Sequence, residues 1–119
     1  MEICISSSMK FQKEISEVSS HLTELGIINT FPTPKKPEHN ENFQDFANRL
    51  FNEHFEKIKN ADALLVVNPG GYIGSSVKIE IGYAKALGKK IIFLDKANEP
   101  EIQALADEIK PLEEFTPPH

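Results

Sequence analysis

Glu80 closes a stretch whose residue types invite chemistry: Asn68-Pro-Gly-Gly-Tyr-Ile-Gly-Ser-Ser-Val-Lys-Ile-Glu80. Three glycines within five residues (Gly70, Gly71, Gly74) let a backbone approach a ligand closely. Ser76 lies about one helical turn before Glu80. A carboxylate beside such a loop can act as a nucleophile on an anomeric carbon. The plainer alternatives are a strand-to-helix turn followed by a solvated or salt-bridged helix glutamate. Gly82 follows in mid-helix, where it costs about 1 kcal/mol relative to Ala; it suggests close packing or room for a ligand.

A second segment, Ser6-Ser7-Ser8-Met9-Lys10, leads from an apolar run directly into a helical pattern. Unpaired amides at a helix start attract anions, and the serine hydroxyls and Lys10 would add donors to a phosphate. Simple capping by Ser8 is the alternative. Neither segment is a P-loop, which needs Gly-Lys-Ser/Thr, or a dinucleotide fingerprint, which needs GxGxxG. No His/Cys/Asp cluster has metal-ligand spacing, so neither metal nor cofactor is expected.

The elements that must position these residues follow from periodicity. Glu2 to Ser6 reads as a first strand. Phe11, Ile15, Val18, Leu22 and Leu25 form one face of a helix that ends at Gly26. Ile27 to Phe31 reads as a second strand. The proline-broken, polar stretch to Asn42 is a surface loop or, in the sharper reading, a lid. Phe43, Phe46, Ala47, Leu50, Phe51, His54, Phe55 and Ile58 mark a second helix, its aromatic stripe expected in the core and His54 with it. Ala63 to Val67 is a continuous apolar run of strand length. The glycine loop, a helix to about Leu87, a strand over Lys90–Asp95 and a last helix over about Pro100–Lys110 complete the chain.

Strands alternating with helices imply right-handed crossovers, and so an α/β fold: a doubly wound three-layer α/β/α arrangement with a parallel, flavodoxin-like sheet of four to five strands. Sites in such sheets lie beyond the carboxyl ends of the strands, near the switch in strand order. Both candidate segments fall there.

With 119 residues the chain suits a single domain, 1–119. It is 39% apolar and 26% charged, with a net charge of −5 that argues against a nucleic-acid polymer as partner. The lone Cys4 sits in an apolar run and reads as a buried thiol. No signal peptide or spanning segment is evident, so no membrane partner and a cytoplasmic location are expected.

Glu80-Ile-Gly-Tyr-Ala-Lys-Ala-Leu-Gly-Lys89, preceded by Ala61-Asp-Ala-Leu-Leu-Val-Val67 and the glycine loop, resembles the nucleoside 2-deoxyribosyltransferase superfamily, including its 2′-deoxynucleoside 5′-phosphate N-hydrolases. The resemblance implies an N-glycosidic-bond hydrolase or transferase acting on a nucleoside or nucleoside 5′-monophosphate. It makes Glu80 the nucleophile, and Ser7, Ser8, Met9 and Lys10 a variant of the phosphate loop. Asn68 stands nearest the aspartate that transferases carry after the third strand, and Ser76-Val77 where they favour Gly-Thr. Asn68, Gly70 and Gly71 would position base or sugar, Ser76 would bind phosphate or sugar hydroxyls, and Tyr83 would orient Glu80 or pack. A homodimer or higher homo-oligomer is implied as well. Pro69-Gly-Gly71 with its downstream glutamate also resembles the lysine-decarboxylase-like phosphoribohydrolases. A non-catalytic nucleotide-binding module of the same fold is a further reading.

Overall fold

A computed structural model describes residues 1–118. Five parallel strands form one sheet in the order β2-β1-β3-β4-β5: β1 Glu2–Ser6, β2 Ile28–Thr30, β3 Ala63–Val66, β4 Lys90–Phe93 and β5 Glu108–Ile109. β1 pairs with both β2 and β3, so the strand order reverses between β1 and β3. The carboxyl ends of those two strands, Ser6 and Val66, are partners in register. The expected doubly wound parallel sheet is therefore present.

Period-two alternation divides the core. Ile3 and Ile5 point to the face covered by α1 (Gln12–Glu24), where they meet Ile15, Val18, Leu22, Leu65 and Ile92. Cys4 points the other way, with Leu64, Val66, Ile91 and Phe93, toward α2 (Phe43–Asn60) and α3 (Ser75–Ala86). Ser6 follows Cys4 by two residues and so shares its face.

Three expectations need correcting. The last helix is not a run to Lys110: α4 is the single turn Pro100–Gln103, and β5 follows it. β4 claims that backbone, since Asp107 N–H donates to the Ile91 carbonyl (2.8 Å), Lys110 N–H donates to the Phe93 carbonyl (2.8 Å), and the Asp107 carboxylate accepts from Ile91 N–H (2.7 Å). The aromatic stripe of α2 is not all core. Only His54 and Ile58 are buried there; Phe43 is 82% exposed, and Phe46, Ala47, Leu50 and Phe51 are half-buried. Gly82 is exposed, and a Cβ there would meet nothing within 4 Å, so close packing within the chain does not explain it.

The 31–42 loop is held on α2. Arg49 forms a two-pronged contact with the Glu41 carboxylate (3.0 and 2.9 Å) and donates to the Lys36 carbonyl (3.3 Å). Lys35 pairs with Glu53 at 2.6 Å, and Lys57 donates to the Phe31 carbonyl at 3.0 Å. The Arg49 hydrogen bonds hold the Glu41 carboxyl down at about 2. No helix among the described residues is long and apolar enough to cross a membrane.

Candidate active site

α3 starts at the carboxyl edge of the sheet with Gly74 as its N-cap residue. Its buried positions are Val77, Glu80, Ile81 and Ala84, the i, i+3, i+4, i+7 spacing of one helical stripe. Glu80 therefore lies on the core-facing side, 9% exposed, one turn below the helix start. On α2, His54 and Ile58 occupy the equivalent stripe. Helices α2 and α3 pack side by side, so two ionisable residues meet where two apolar stripes meet.

His54 Nε2 lies 3.3 Å from Glu80 Oε1. The Ser6 hydroxyl, from the end of β1, donates to the same oxygen. Cys4 Sγ is 3.9 Å from His54 Nε2, and its thiol donates to the Ile5 carbonyl at 3.9 Å. His54 Nδ1 is buried and has no partner among the described residues. Burial by itself would drive the imidazole toward its neutral form. The contacts to Cys4 and Glu80 outweigh that and raise the His54 pKa to about 9. A pKa above neutrality makes His54 a cation at neutral pH, 3.3 Å from Glu80 Oε1.

Above the pair opens a cavity of about 720 Å³, within the range of small-molecule sites. Its floor is Glu80, His54 and Val77. One wall is Ser7, Ser8, Met9 and Gln12; another is Gly74, Ser75 and Ser76. The α2 stripe supplies Phe43, Phe46, Ala47, Leu50 and Phe51, and the loop supplies Pro32, Thr33, Pro34 and Lys35. The site is thus hydroxyl-rich at the strand ends and mainly apolar along α2, where Glu53 and Lys57 also reach the lining. Such a surface can hold a sugar at one end and a flat ring at the other.

The candidate residues divide. Glu80, Ser7, Ser8, Met9 and Ser76 all line this cavity. Ser7 also donates to the Val67 carbonyl (2.7 Å), tying the loop after β1 to the end of β3. Ser8 caps the 3-10 turn Met9–Phe11, accepting from Lys10 N–H at 3.4 Å. Lys10 is not part of the lining; its ammonium sits 3.5 Å from the centre of the Tyr72 ring, a cation–π contact. Tyr83 stacks on Phe55, ring centres 4.4 Å apart, and makes no hydrogen bond to Glu80.

Asn68, Gly70 and Gly71 also lie outside the lining. Asn68 is fully buried, and its amide donates to the Asp95 carbonyl (2.8 Å) while accepting from Asp95 N–H (3.0 Å). Gly70 and Gly71 form a tight 3-10 turn, both at positive φ. A Cβ on Gly71 would stand 2.6 Å from the Lys96 carbonyl oxygen, so here glycine serves backbone packing.

Two residues of the constellation are not tied to Glu80 by type and spacing: Ser6, which stands in the serine segment, and His54, which reads as part of the core. Ser6 differs from its serine neighbours in sharing the strand face of Cys4. His54 is the one polar side chain on the apolar stripe of α2. Each signal is a polar residue at a core-facing position. Among the described residues, no group of three His, Cys, Asp or Glu could hold a metal ion.

Comparison with known proteins agrees with this architecture. No curated protein matches the chain. A 2-deoxyribosyltransferase from the psychrotolerant bacterium Bacillus psychrosaccharolyticus superposes with a TM-score of 0.70 at 19% identity, over 95% of this chain and 88% of that one. A CMP N-glycosidase from Clostridium botulinum superposes with a TM-score of 0.58 at 21% identity, over 96% and 93%. At those identities the likeness is one of fold. The pattern of the nucleoside 2-deoxyribosyltransferase family matches residues 7–111, most of the chain, and on that evidence the chain belongs to the nucleoside 2-deoxyribosyltransferase family.

Proposed function

We propose that the protein cleaves the N-glycosidic bond of a nucleoside or nucleoside 5′-monophosphate, with Glu80 as nucleophile. The observation that carries this reading is a buried carboxylate on the floor of a cavity whose walls are hydroxyls on one side and an apolar, aromatic face on the other. Family membership supports the same class of reaction.

A Glu80 oxygen bonds to the anomeric carbon as the C–N bond breaks, and the base leaves with that electron pair and takes up a proton from solvent. Water, or a second base, then attacks the same carbon and gives up a proton to solvent, as the C–O bond to Glu80 breaks and returns it to a carboxylate. Splitting one difficult displacement into two is what a covalent nucleophile contributes. The hydroxyls of Ser7, Ser8 and Ser76 would hold sugar or 5′-phosphate oxygens. Phe46 and Phe51 would face the base. A homodimer would accompany this reading, and light scattering tests it.

A second reading has one observation in its favour. Asn68 stands nearest the place where transferases carry an acid, and its amide is spent on Asp95. A nucleotide-binding module that has lost the reaction would fit that. Incubation with a panel of nucleosides and nucleotides, with free base followed by chromatography, separates the two. Release by the wild type, lost in Glu80→Ala, supports catalysis. Thermal stabilisation by a nucleotide without base release supports the module.

A further inference from the structure

Core-facing stripes exclude ionisable side chains unless something answers them, because an unpaired buried charge is strongly destabilising. Here α2 and α3 each carry one, four residues before Ile58 and one before Ile81 respectively. The geometry fixes how they answer each other. The Cys4 thiol donates to the Ile5 carbonyl, which leaves its sulfur as a weak acceptor beside His54 Nε2. Glu80 Oε1 is the other acceptor at that nitrogen. With the sulfur and the carboxylate oxygen both as acceptors, a proton on Nε2 suits the pair. The Ser6 hydroxyl reaches the same Oε1 from the opposite element. Both contacts converge on one carboxylate oxygen, and Oε2 makes no hydrogen bond to the described residues.

We infer that His54 is a positioning residue for Glu80: its Nε2–H, together with the Ser6 hydroxyl, holds Oε1 and so presents Oε2 to the anomeric carbon. The inference rests on the reading of Glu80 as nucleophile. As Oε2 forms the C–O bond and the C–N bond breaks, Oε1 becomes the ester carbonyl and keeps both donors. When water displaces the ester, carboxylate charge returns to Glu80, and a cation at Oε1 stabilises the departure. The groups facing the imidazole are Glu80 from α3 and Cys4 from β1. On α2 itself, Glu53 is committed to Lys35 and Lys57 to the Phe31 carbonyl. A cationic His54 at neutral pH fits this arrangement.

The test pairs a titration with kinetics. Imidazole NMR should find His54 titrating near 9, and Glu80→Gln should bring it down. His54→Gln keeps an N–H donor without the charge; His54→Phe removes both. A misplaced nucleophile loses roughly 100-fold, so kcat for base release should fall by about that in His54→Phe and by less in His54→Gln, with KM little changed. The alkaline limb of the wild-type kcat profile should vanish in both. A His54 that titrates at its ordinary value and ignores Glu80→Gln would overturn the inference, as would a His54→Phe enzyme with the wild-type kcat and profile. If the wild type releases no base from any substrate, the reading of Glu80 as nucleophile fails, and the titration alone decides the pairing.

Discussion

Asn68 and Asp95 join the ends of two neighbouring parallel strands through both halves of one amide. Asn68 Nδ2 donates to the Asp95 carbonyl and Asn68 Oδ1 accepts from Asp95 N–H, both within 3.0 Å, from a side chain that is itself fully buried. The pair continues the β3–β4 ladder one step past its last backbone bond, just where the glycine turn leaves the sheet. Asn68→Ala should cost about 1–3 kcal/mol, because two hydrogen bonds from a fully buried side chain are lost at about 0.5–1.5 kcal/mol each. Asn68→Asp should also destabilise, since a carboxylate cannot donate to the Asp95 carbonyl and would repel it. Urea unfolding midpoints check both; an Asn68→Asp protein as stable as the wild type would contradict the clamp.

The glycines of the site segment should respond in opposite directions. Gly82 is exposed in mid-helix with open space around it, so Gly82→Ala should stabilise by about 0.5–1 kcal/mol. Gly71, at φ +82 and facing the Lys96 carbonyl, has no such freedom, and Gly71→Ala should destabilise by about 1–3 kcal/mol. Thermal denaturation of the two variants, side by side, reads both signs.

Stability should fall with rising pH across the window set by His54. Its pKa is raised from 6.5 to about 9 in the folded state, so the folded protein holds a proton that the unfolded chain releases. The stabilisation is complete below about 6.5 and is lost as pH passes 9. At about 1.4 kcal/mol per unit, it amounts to up to about 3 kcal/mol. Denaturant unfolding at pH 6 and pH 9.5 should show that difference in the wild type and a much smaller one in His54→Gln.

The loop over the cavity should loosen when its clamp is cut. Arg49 holds Glu41 and the Lys36 carbonyl, while Pro32, Thr33, Pro34 and Lys35 line the cavity. Arg49→Ala should speed amide hydrogen exchange at residues 36–42 and raise KM, with little change in melting temperature. Unchanged exchange would mean that the loop holds its shape by other means.

Much of this molecule is legible in its sequence, for identifiable reasons. The apolar run Ala63 to Val67 reads as a strand covered on both faces, and all of it is buried. The strand–helix alternation yields the parallel sheet, and the segment around Glu80 leads to the family. The segment after Glu99 misleads because Ile102, Leu105 and Ala106 repeat at helical spacing. They do pack on the core, but β4 recruits the following backbone as a strand. The α2 stripe misleads in another way: apolar periodicity reports a face removed from water, and a ligand cavity needs such a face as much as a core does. His54 and Ser6 could not be tied to Glu80 from spacing alone. Their meeting depends on two crossovers, 48 and 74 residues apart along the chain for Ser6. Asn68 is the converse, a polar residue at a site-like position whose hydrogen bonds go to a neighbouring strand.

On the proposed reaction, Glu80 becomes covalently bonded to the sugar. A 2-fluoro-2-deoxyribosyl nucleoside slows return of the glycosyl-enzyme, since the fluorine disfavours the oxocarbenium-like transition state. Mass spectrometry of protein treated with such a compound should show one glycosyl unit added, on the peptide containing Glu80, with none in Glu80→Gln. Base release by the wild type with no adduct at Glu80, or with the adduct on another residue, would contradict the account.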